Sequence, residues 1–253
     1  MRTKLGSIIA IVVLLAITGF LAHGVMNKMK RTGLSARELA LDPRQFGLTT
    51  TTPPAPSSAE EPLAVFIGDF TQGSDEGGIG AQNWTSLLAT DVRKSRPLRI
   101  AVDNNGEGSG YVIRGVSPAF GDEVRRMVIP ETKMVVISGS RADVVAQPNE
   151  VNARARDAYR LVGQLAPGAQ IVVIGPTWGA DPPSPQVLAT RDAVRDAAAA
   201  FNAFFVDPLQ DGWFTTGEPG LIGSDSVHPT DLGNERMAQN LAPIFTNLLS
   251  GQA

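Results

Sequence analysis

The sequence predicts a three-layer α/β/α sandwich built on a short parallel β-sheet. The first observation is a series of short apolar runs, rich in β-branched residues, spaced between residues 63 and 206. The second is that helical periodicity separates each run from the next. Strands that are buried on both faces and alternate with helices form parallel sheets with right-handed crossovers. Functional side chains in such sheets collect on the loops that follow the strands.

Five strands and five helices are expected in the domain. The strands are Leu63–Ile67, Leu98–Val102, Met134–Ser138, Ile171–Ile174 and Ala203–Val206. The helices are Trp84–Val92, Phe120–Val128, Asn149–Leu165, Ser184–Ala200 and a last one from Asp231 to about Leu248.

An apolar run at the N-terminus predicts a membrane anchor within residues 1–31. Residues 5–26 are mostly apolar, with His23 as the one strongly polar interruption, and a helix of that length spans about 33 Å. A buried core helix is disfavoured by the terminal position and the basic flanks. Phe20-Leu21-Ala22 matches a signal-peptidase site poorly, so we expect an uncleaved anchor. Residues 32–62 are rich in Thr, Pro and Ser and predict an extended linker to a domain at 63–253.

Charge and cysteine content exclude several functions. Residues 1–31 carry a charge of +5, whereas the rest of the chain carries −8. An acidic soluble part argues against a nucleic-acid partner, which requires an excess of Lys and Arg. The chain has no cysteine, so disulfides, thiolate metal sites and a cysteine nucleophile are excluded. No His/Asp/Glu cluster has metal-ligand spacing, and no cofactor or metal is expected.

Asp225 and His228 form the strongest candidate for catalytic chemistry. A general base that activates a hydroxyl needs an imidazole and a carboxylate that fixes its tautomer. In Asp225-Ser226-Val227-His228-Pro229-Thr230 the two side chains, three residues apart on a tight loop, can meet on one side. Thr230 or Asp231 is a plausible cap of the helix that follows. A purely structural loop brace is the alternative for an isolated D-x-x-H motif.

The arrangement resembles the SGNH hydrolases, also called GDSL esterases, over about residues 63–248. It is most similar to exported actinobacterial members, through segments such as Gly108-Ser109-Gly110-Tyr111 and Gly212-Trp213-Phe214. The resemblance implies an SGNH/flavodoxin-like fold, His228 as base, Asp225 as acid and Gly108 as an oxyanion-type glycine. It also implies a location outside the cytoplasmic membrane, although the basic residues after the anchor mildly favour the opposite orientation.

Two blocks of the site depart from the family pattern. Where the family has G-D-S-x-T-x-G, this chain reads Gly68-Asp69-Phe70-Thr71-Gln72-Gly73. Either the serine is deleted or Phe70 takes its place, and neither alignment leaves a hydroxyl. In Gly139-Ser140-Arg141-Ala142-Asp143, Ala142 stands where the resemblance implies the oxyanion-hole asparagine. Thr71 and Ser74 are weak substitute nucleophiles, and His228 with Asp225 could instead activate a water.

The sequence leaves the roles of several further residues undecided. Trp178 and Trp213 either line a cleft or belong to the core, and Asp69 and Trp178 are kept as candidate binding residues. The acids on the loops after the strands are more consistent with solvated surface groups than with site residues; they are Asp103, Glu107, Asp143 and Asp181.

Three functions fit these observations. The first is a membrane-anchored, degenerate esterase of the cell envelope that binds an acylated or glycan ligand, or an envelope protein, without efficient turnover. The second is an active esterase or acetylhydrolase that uses Asp225 and His228 with a water or with a relocated Thr71 or Ser74 nucleophile. The third is a non-catalytic partner that regulates an active enzyme. In each case we expect the domain on the extracytoplasmic side.

Overall fold

A computed structural model describes residues 61–104, 108–115, 118–179, 182–215 and 218–250. Its centre is a five-stranded sheet in the order β2-β1-β3-β4-β5, in which every neighbouring pair is parallel. The strands are β1 (Leu63–Gly68), β2 (Arg99–Val102), β3 (Thr132–Ser138), β4 (Gln170–Ile174) and β5 (Phe204–Val206).

Five α-helices alternate with the strands as the sequence predicts. They are α1 (Trp84–Val92), α2 (Phe120–Met127), α3 (Pro148–Leu165), α4 (Pro185–Ala199) and α5 (Asp231–Leu249). No end of a strand or helix differs from its predicted position by more than two residues. The predicted α/β architecture with a parallel sheet is therefore confirmed.

The helices cover the two faces of the sheet as separate layers. Along β1, Ala64 and Phe66 pack against α1 and α5, whereas Val65 and Ile67 face α2, α3 and α4. This alternation follows from the two-residue period of a strand. Phe66 stacks on Phe245 of α5, with ring centroids 5.8 Å apart, and meets the edge of Trp84 of α1 at 5.5 Å.

Side-chain caps fix the starts of three helices. Asn83 accepts a hydrogen bond from Thr85 N at the start of α1, and Ser184 accepts one from Val187 N at the start of α4. Thr230 accepts one from Gly233 N and is the cap of α5. Each cap satisfies a backbone donor that the first helical turn leaves without a partner.

The strand order creates a crevice at the carboxyl end of the sheet. From β1 the chain crosses to β2 on one side, and from β3 it continues to β4 and β5 on the other. The loops after β1 and β3 therefore diverge at the point where open α/β sheets bind ligands.

Within the described ranges, no helix is long and apolar enough to cross a membrane. The predicted anchor and residues 32–60 of the predicted linker lie outside the described residues. Their assignment stays a prediction.

Candidate active site

The structure brings Asp225 and His228 together as an acid–base pair. Asp225 Oδ2 lies 2.5 Å from His228 Nδ1, and Asp225 Oδ1 accepts hydrogen bonds from the backbone N–H groups of Val227 and His228 at 2.8 and 2.9 Å. Ser226 has a φ of 61°, which allows the tight turn between them. The hydrogen bond from His228, supported by the two backbone donors, lowers the pKa of Asp225 to about 2. Asp225 is therefore ionised at neutral pH and can orient the imidazole.

The loop after β1 holds this acid–base loop in place through Glu76. The Glu76 carboxylate accepts hydrogen bonds from Ser224 N at 3.0 Å, Ser224 Oγ at 2.6 Å and Asp225 N at 3.3 Å. The Ser224 hydrogen bonds lower the pKa of Glu76 below its ordinary value. A second connection runs from Gly78 N to Asp231 Oδ1 at 2.8 Å. These contacts join the two loops, and no local sequence pattern points to Glu76.

Phe70 occupies the position that faces the base. Its φ is 60°, and its backbone carbonyl accepts hydrogen bonds from Asn83 Nδ2 at 3.0 Å and Trp84 Nε1 at 2.9 Å. The Phe70 ring centroid lies 5.7 Å from that of His228, with the rings nearly perpendicular. An aromatic ring therefore lies beside the imidazole. The assignment of Phe70 to the nucleophile position of the family stays a prediction.

The hydroxyls of Thr71 and Ser74 are engaged elsewhere. Thr71 Oγ1 lies 3.0 Å from both Gly68 O and Asp103 O, and the residue is 3% exposed. Ser74 Oγ accepts a hydrogen bond from Glu76 N at 3.2 Å. The Thr71 hydroxyl therefore connects the turn to the loop after β2, which is a structural contact.

Asp69 is buried beside the turn and has an unusual acidity. Burial raises the pKa of Asp69 to about 7, against the smaller lowering effects of the Arg141 backbone N–H and the Arg141 charge. Arg141 N lies 3.4 Å from Asp69 Oδ2. Gly139 packs directly on the carboxylate, because a Cβ there would lie 2.2 Å from Asp69 Oδ2.

Gly108 and Ala142 lie at the same cleft, on the loops after β2 and β3. Asp143 joins these loops: its carboxylate accepts from Tyr111 N, Val112 N, Ile113 N and Ser140 Oγ at 2.6–3.1 Å. Gly108 is thereby held next to a segment that Asp143 fixes. Ala142 contributes a methyl group where an amide donor is expected.

The surface interpretation of the loop acids is wrong for Asp103 and Asp143. Both residues are fully buried. Asp143 organises the 110–113 segment, and Asp103 pairs with Arg126 of α2. Carboxylates with such partners can be buried because the partners replace the hydrogen bonds of water. Glu107 and Asp181 lie outside the described residues.

The cleft at this site has a volume of about 200 Å³. Its lining residues come from the loops after β1, β2 and β3 and from the acid–base loop: Asp69, Phe70, Gln72, Gly73, Gly108, Arg141, Ala142, Val227 and His228.

The two candidate tryptophans, Trp178 and Trp213, occupy different environments. Trp213 is 3% exposed and belongs to the core. Trp178 is half-buried, and its ring lies 4.9 Å from the guanidinium carbon of Arg141, a cleft residue.

A parallel α/β sandwich with an Asp–His pair on the loop before its last helix defines the class of SGNH-type ester hydrolases. The GDSL-like lipase/acylhydrolase family model matches residues 66–236, and the chain belongs to this family. A GDSL lipase of Mycobacterium tuberculosis is 39% identical over 196 residues, which cover 75% of this chain and 84% of that protein. The family predicted from the sequence is therefore confirmed.

Solved structures with the same fold include esterases. The carbohydrate acetylesterase Est24 from Sinorhizobium meliloti has a TM-score of 0.55 at 15% identity, covering 74% of this chain and 99% of that one. The aryl esterase of M. smegmatis has a TM-score of 0.56 at 15% identity, with coverages of 74% and 99%. TesA has a TM-score of 0.57 at 17% identity, with coverages of 74% and 98%. At these identities the likeness concerns the fold.

Proposed function

We propose that this protein is a degenerate esterase of the cell envelope, which binds a ligand at the family's active-site cleft without efficient turnover. The carrying observation is the ring of Phe70, packed 5.7 Å from the His228 ring where the family requires a hydroxyl. A phenyl ring has no atom that can attack an ester carbonyl. The covalent route of the family is therefore closed at its first step.

The second supporting observation concerns the oxyanion hole. Ala142 lines the cleft but has no side-chain donor for the negative charge that develops on the carbonyl oxygen. Loss of one such donor costs roughly 10²–10³ in rate. Both departures reduce turnover, and they lie on different loops of the same cleft.

The alternative function is an active esterase, in which the acid–base pair activates a water that attacks the ester directly. His228 and Asp225 keep the hydrogen bond that a general base needs. Relocation of the nucleophile to Thr71 has less support, because its hydroxyl lies at hydrogen-bonding distance from two backbone carbonyls.

The ligand class follows from the relatives and from the cleft. Relatives of this fold are described as a lipase, an aryl esterase and a carbohydrate acetylesterase. An acylated molecule or a glycan of the envelope is the ligand that we favour, with an envelope protein as the alternative.

We further propose that the N-terminal apolar run anchors the domain in the cytoplasmic membrane, with the domain on the outer side.

Hydrolysis of p-nitrophenyl acetate by the purified protein, compared with His228→Ala, tests the proposal. We expect both proteins to stay at the background rate. A wild-type rate well above background that disappears in His228→Ala would establish the alternative. Labelling by a fluorophosphonate probe would then identify any relocated serine or threonine nucleophile.

A further inference from the structure

The cleft beside His228 combines an apolar lining with one side chain that is permanently positively charged. Phe70, Ala142 and Val227 contribute apolar surface, and most of the surface of the cleft is apolar. Among the described lining residues, Arg141 is the one side chain that stays positive at every physiological pH. An apolar cavity with few polar groups selects its ligand through those groups.

Arg141 is held by an aromatic ring, and none of the described acids forms a salt bridge with it. Its guanidinium carbon lies 4.9 Å from the centre of the Trp178 ring, a cation–π arrangement. Within the described part of the chain, no carboxylate lies at salt-bridge distance from this guanidinium. Its charge nevertheless acts on the cleft, because it is one of the influences that lower the pKa of Asp69. The charge is therefore close to the cavity and available to a ligand.

The described acids around the cleft are already hydrogen-bonded or buried. Asp225 accepts hydrogen bonds from His228 and Val227, and Glu76 accepts them from Ser224 and Asp225. Neither of these two acids lines the cleft. Asp69 does line it, but burial favours its uncharged form. Among the described lining residues, an anion that enters the cleft thus meets the Arg141 charge and one buried carboxyl, that of Asp69.

We propose that the cleft binds small organic acids, with the apolar group against Phe70 and Val227 and the carboxylate paired with Arg141. This inference rests on the proposed function, in which the cleft binds a ligand without turning it over. The planar guanidinium matches a carboxylate through two parallel hydrogen bonds. The inferred ligand therefore carries a negative charge, which the substrate of an ester hydrolase does not need.

A matched pair of probes tests the charge requirement. Butyrate and butyramide have the same carbon skeleton, and their binding to the full-length protein is compared by ligand-observed NMR titration. We expect butyrate to bind at least about fivefold more tightly, as for one charge-assisted hydrogen-bonded pair. Arg141→Gln should remove the difference, whereas Arg141→Lys should keep part of it. Arg154→Gln, which removes an exposed arginine of α3, should leave the preference unchanged.

Several outcomes overturn the inference. Equal binding of the two probes, no binding of either, or an unchanged preference in Arg141→Gln would each do so. Loss of the preference in Arg154→Gln would mean that net charge and not the cleft selects the anion. Displacement of butyrate by an equal concentration of inorganic phosphate would show recognition of a bare anion. Hydrolysis of p-nitrophenyl acetate would contradict the proposed function instead, so the two failures are distinguishable.

Discussion

The proposed function places Phe70 where the family uses a serine, and its side chain can neither donate a proton nor attack a carbonyl. Its backbone keeps a positive φ of 60°, a conformation that is rare for a bulky residue. The surroundings stabilise the turn, through two donors to its carbonyl and the ring contact with His228. The backbone of the turn is thus fixed by hydrogen bonds to its main-chain carbonyl.

Phe70→Ser should therefore give the protein measurable esterase activity. The new hydroxyl would face His228, and we expect hydrolysis of p-nitrophenyl acetate to rise by roughly 10²-fold or more, since an activated nucleophile opens the covalent route. Adding Ala142→Asn should increase the rate further, by roughly 10²-fold, through an added oxyanion donor. Phe70→Ser combined with His228→Ala is the control and should stay at background. A folded but inactive Phe70→Ser/Ala142→Asn protein would contradict this account of the site.

Asp69 predicts a pH dependence of stability. Its pKa is about 7 in the folded protein and near 3.8 when unfolded, so the folded state holds a proton that the unfolded state has lost between these values. Stability therefore falls as the pH rises from about 4 to about 7, and the full cost is present above that range. Asp69→Asn should gain stability relative to wild type over the same range, by on the order of 1–4 kcal/mol.

Urea unfolding at about pH 4.5 and about pH 8 measures this difference. Asp157→Asn, which changes an exposed acid of α3, is the matched control and should show little dependence on pH. A gain for Asp69→Asn that is the same at both pH values would contradict the assigned pKa.

At the scale of elements, the loops after β1 and before α5 are joined by side chains more than 140 residues apart in sequence. Glu76 and Ser224 are separated by 148 residues, and Gly78 and Asp231 by 153. Local patterns predicted the strands and helices well, because apolar periodicity and caps such as Thr230 are short-range signals. They did not predict the Glu76 contact, the burial of Asp143 or the position of the Phe70 ring, because these depend on how distant loops meet.

Glu76→Ala should loosen the acid–base loop. Without the carboxylate, three donors of the Ser224–Asp225 segment lose their partner, and we expect faster backbone amide exchange over residues 223–228. Glu131→Ala, in the exposed turn before β3, is the control and should leave this segment unchanged. Because the pKa of Glu76 is lowered on folding, its contribution is present above the ordinary value and is lost in acid. The difference between the wild-type protein and the variant should therefore shrink as the pH falls through the lowered pKa of Glu76; a difference that is the same at every pH would refute the role of the charge.

Two glycines provide a matched test of the loop after β2. At Gly110 a Cβ would lie 2.2 Å from the Asp143 carboxylate, which is fixed by four donors and cannot move away. Gly110→Ala should destabilise the fold by about 2–4 kcal/mol. At Gly163, on the exposed side of α3, a Cβ meets nothing within 4 Å. Gly163→Ala should stabilise by up to about 1 kcal/mol through helix propensity. Thermal unfolding compares the two, and equal effects would exclude the steric explanation.

For the whole molecule, charge divides the chain into a basic, apolar N-terminal segment and an acidic domain. Among the described residues, the domain buries its apolar side chains in two layers that flank the sheet.

Removal of residues 1–31 should convert a membrane-bound protein into a soluble one. The apolar run is long enough for the bilayer core, so we expect full-length protein in the membrane fraction and the truncated form in the supernatant. Periplasmic-type and cytoplasmic-type reporters fused after residue 62 then determine the orientation, and we expect the external reporter to be active. Full-length protein that fractionates as soluble, or an active internal reporter, would refute the proposed location.

The carbonyl of Phe70 has a consequence for how such a site can change over evolutionary time. Asn83 and Trp84 hold the main chain of the turn, and neither contact uses the side chain of the residue they hold. The side chain at position 70 can therefore be exchanged without loss of the two hydrogen bonds that hold the main chain of the turn. A lineage can lose the reaction here and keep the cavity, and a single later substitution can return the missing group. Membership of the family therefore follows from the shared fold, whereas we expect the side chain at position 70 to help decide whether an ester is cleaved.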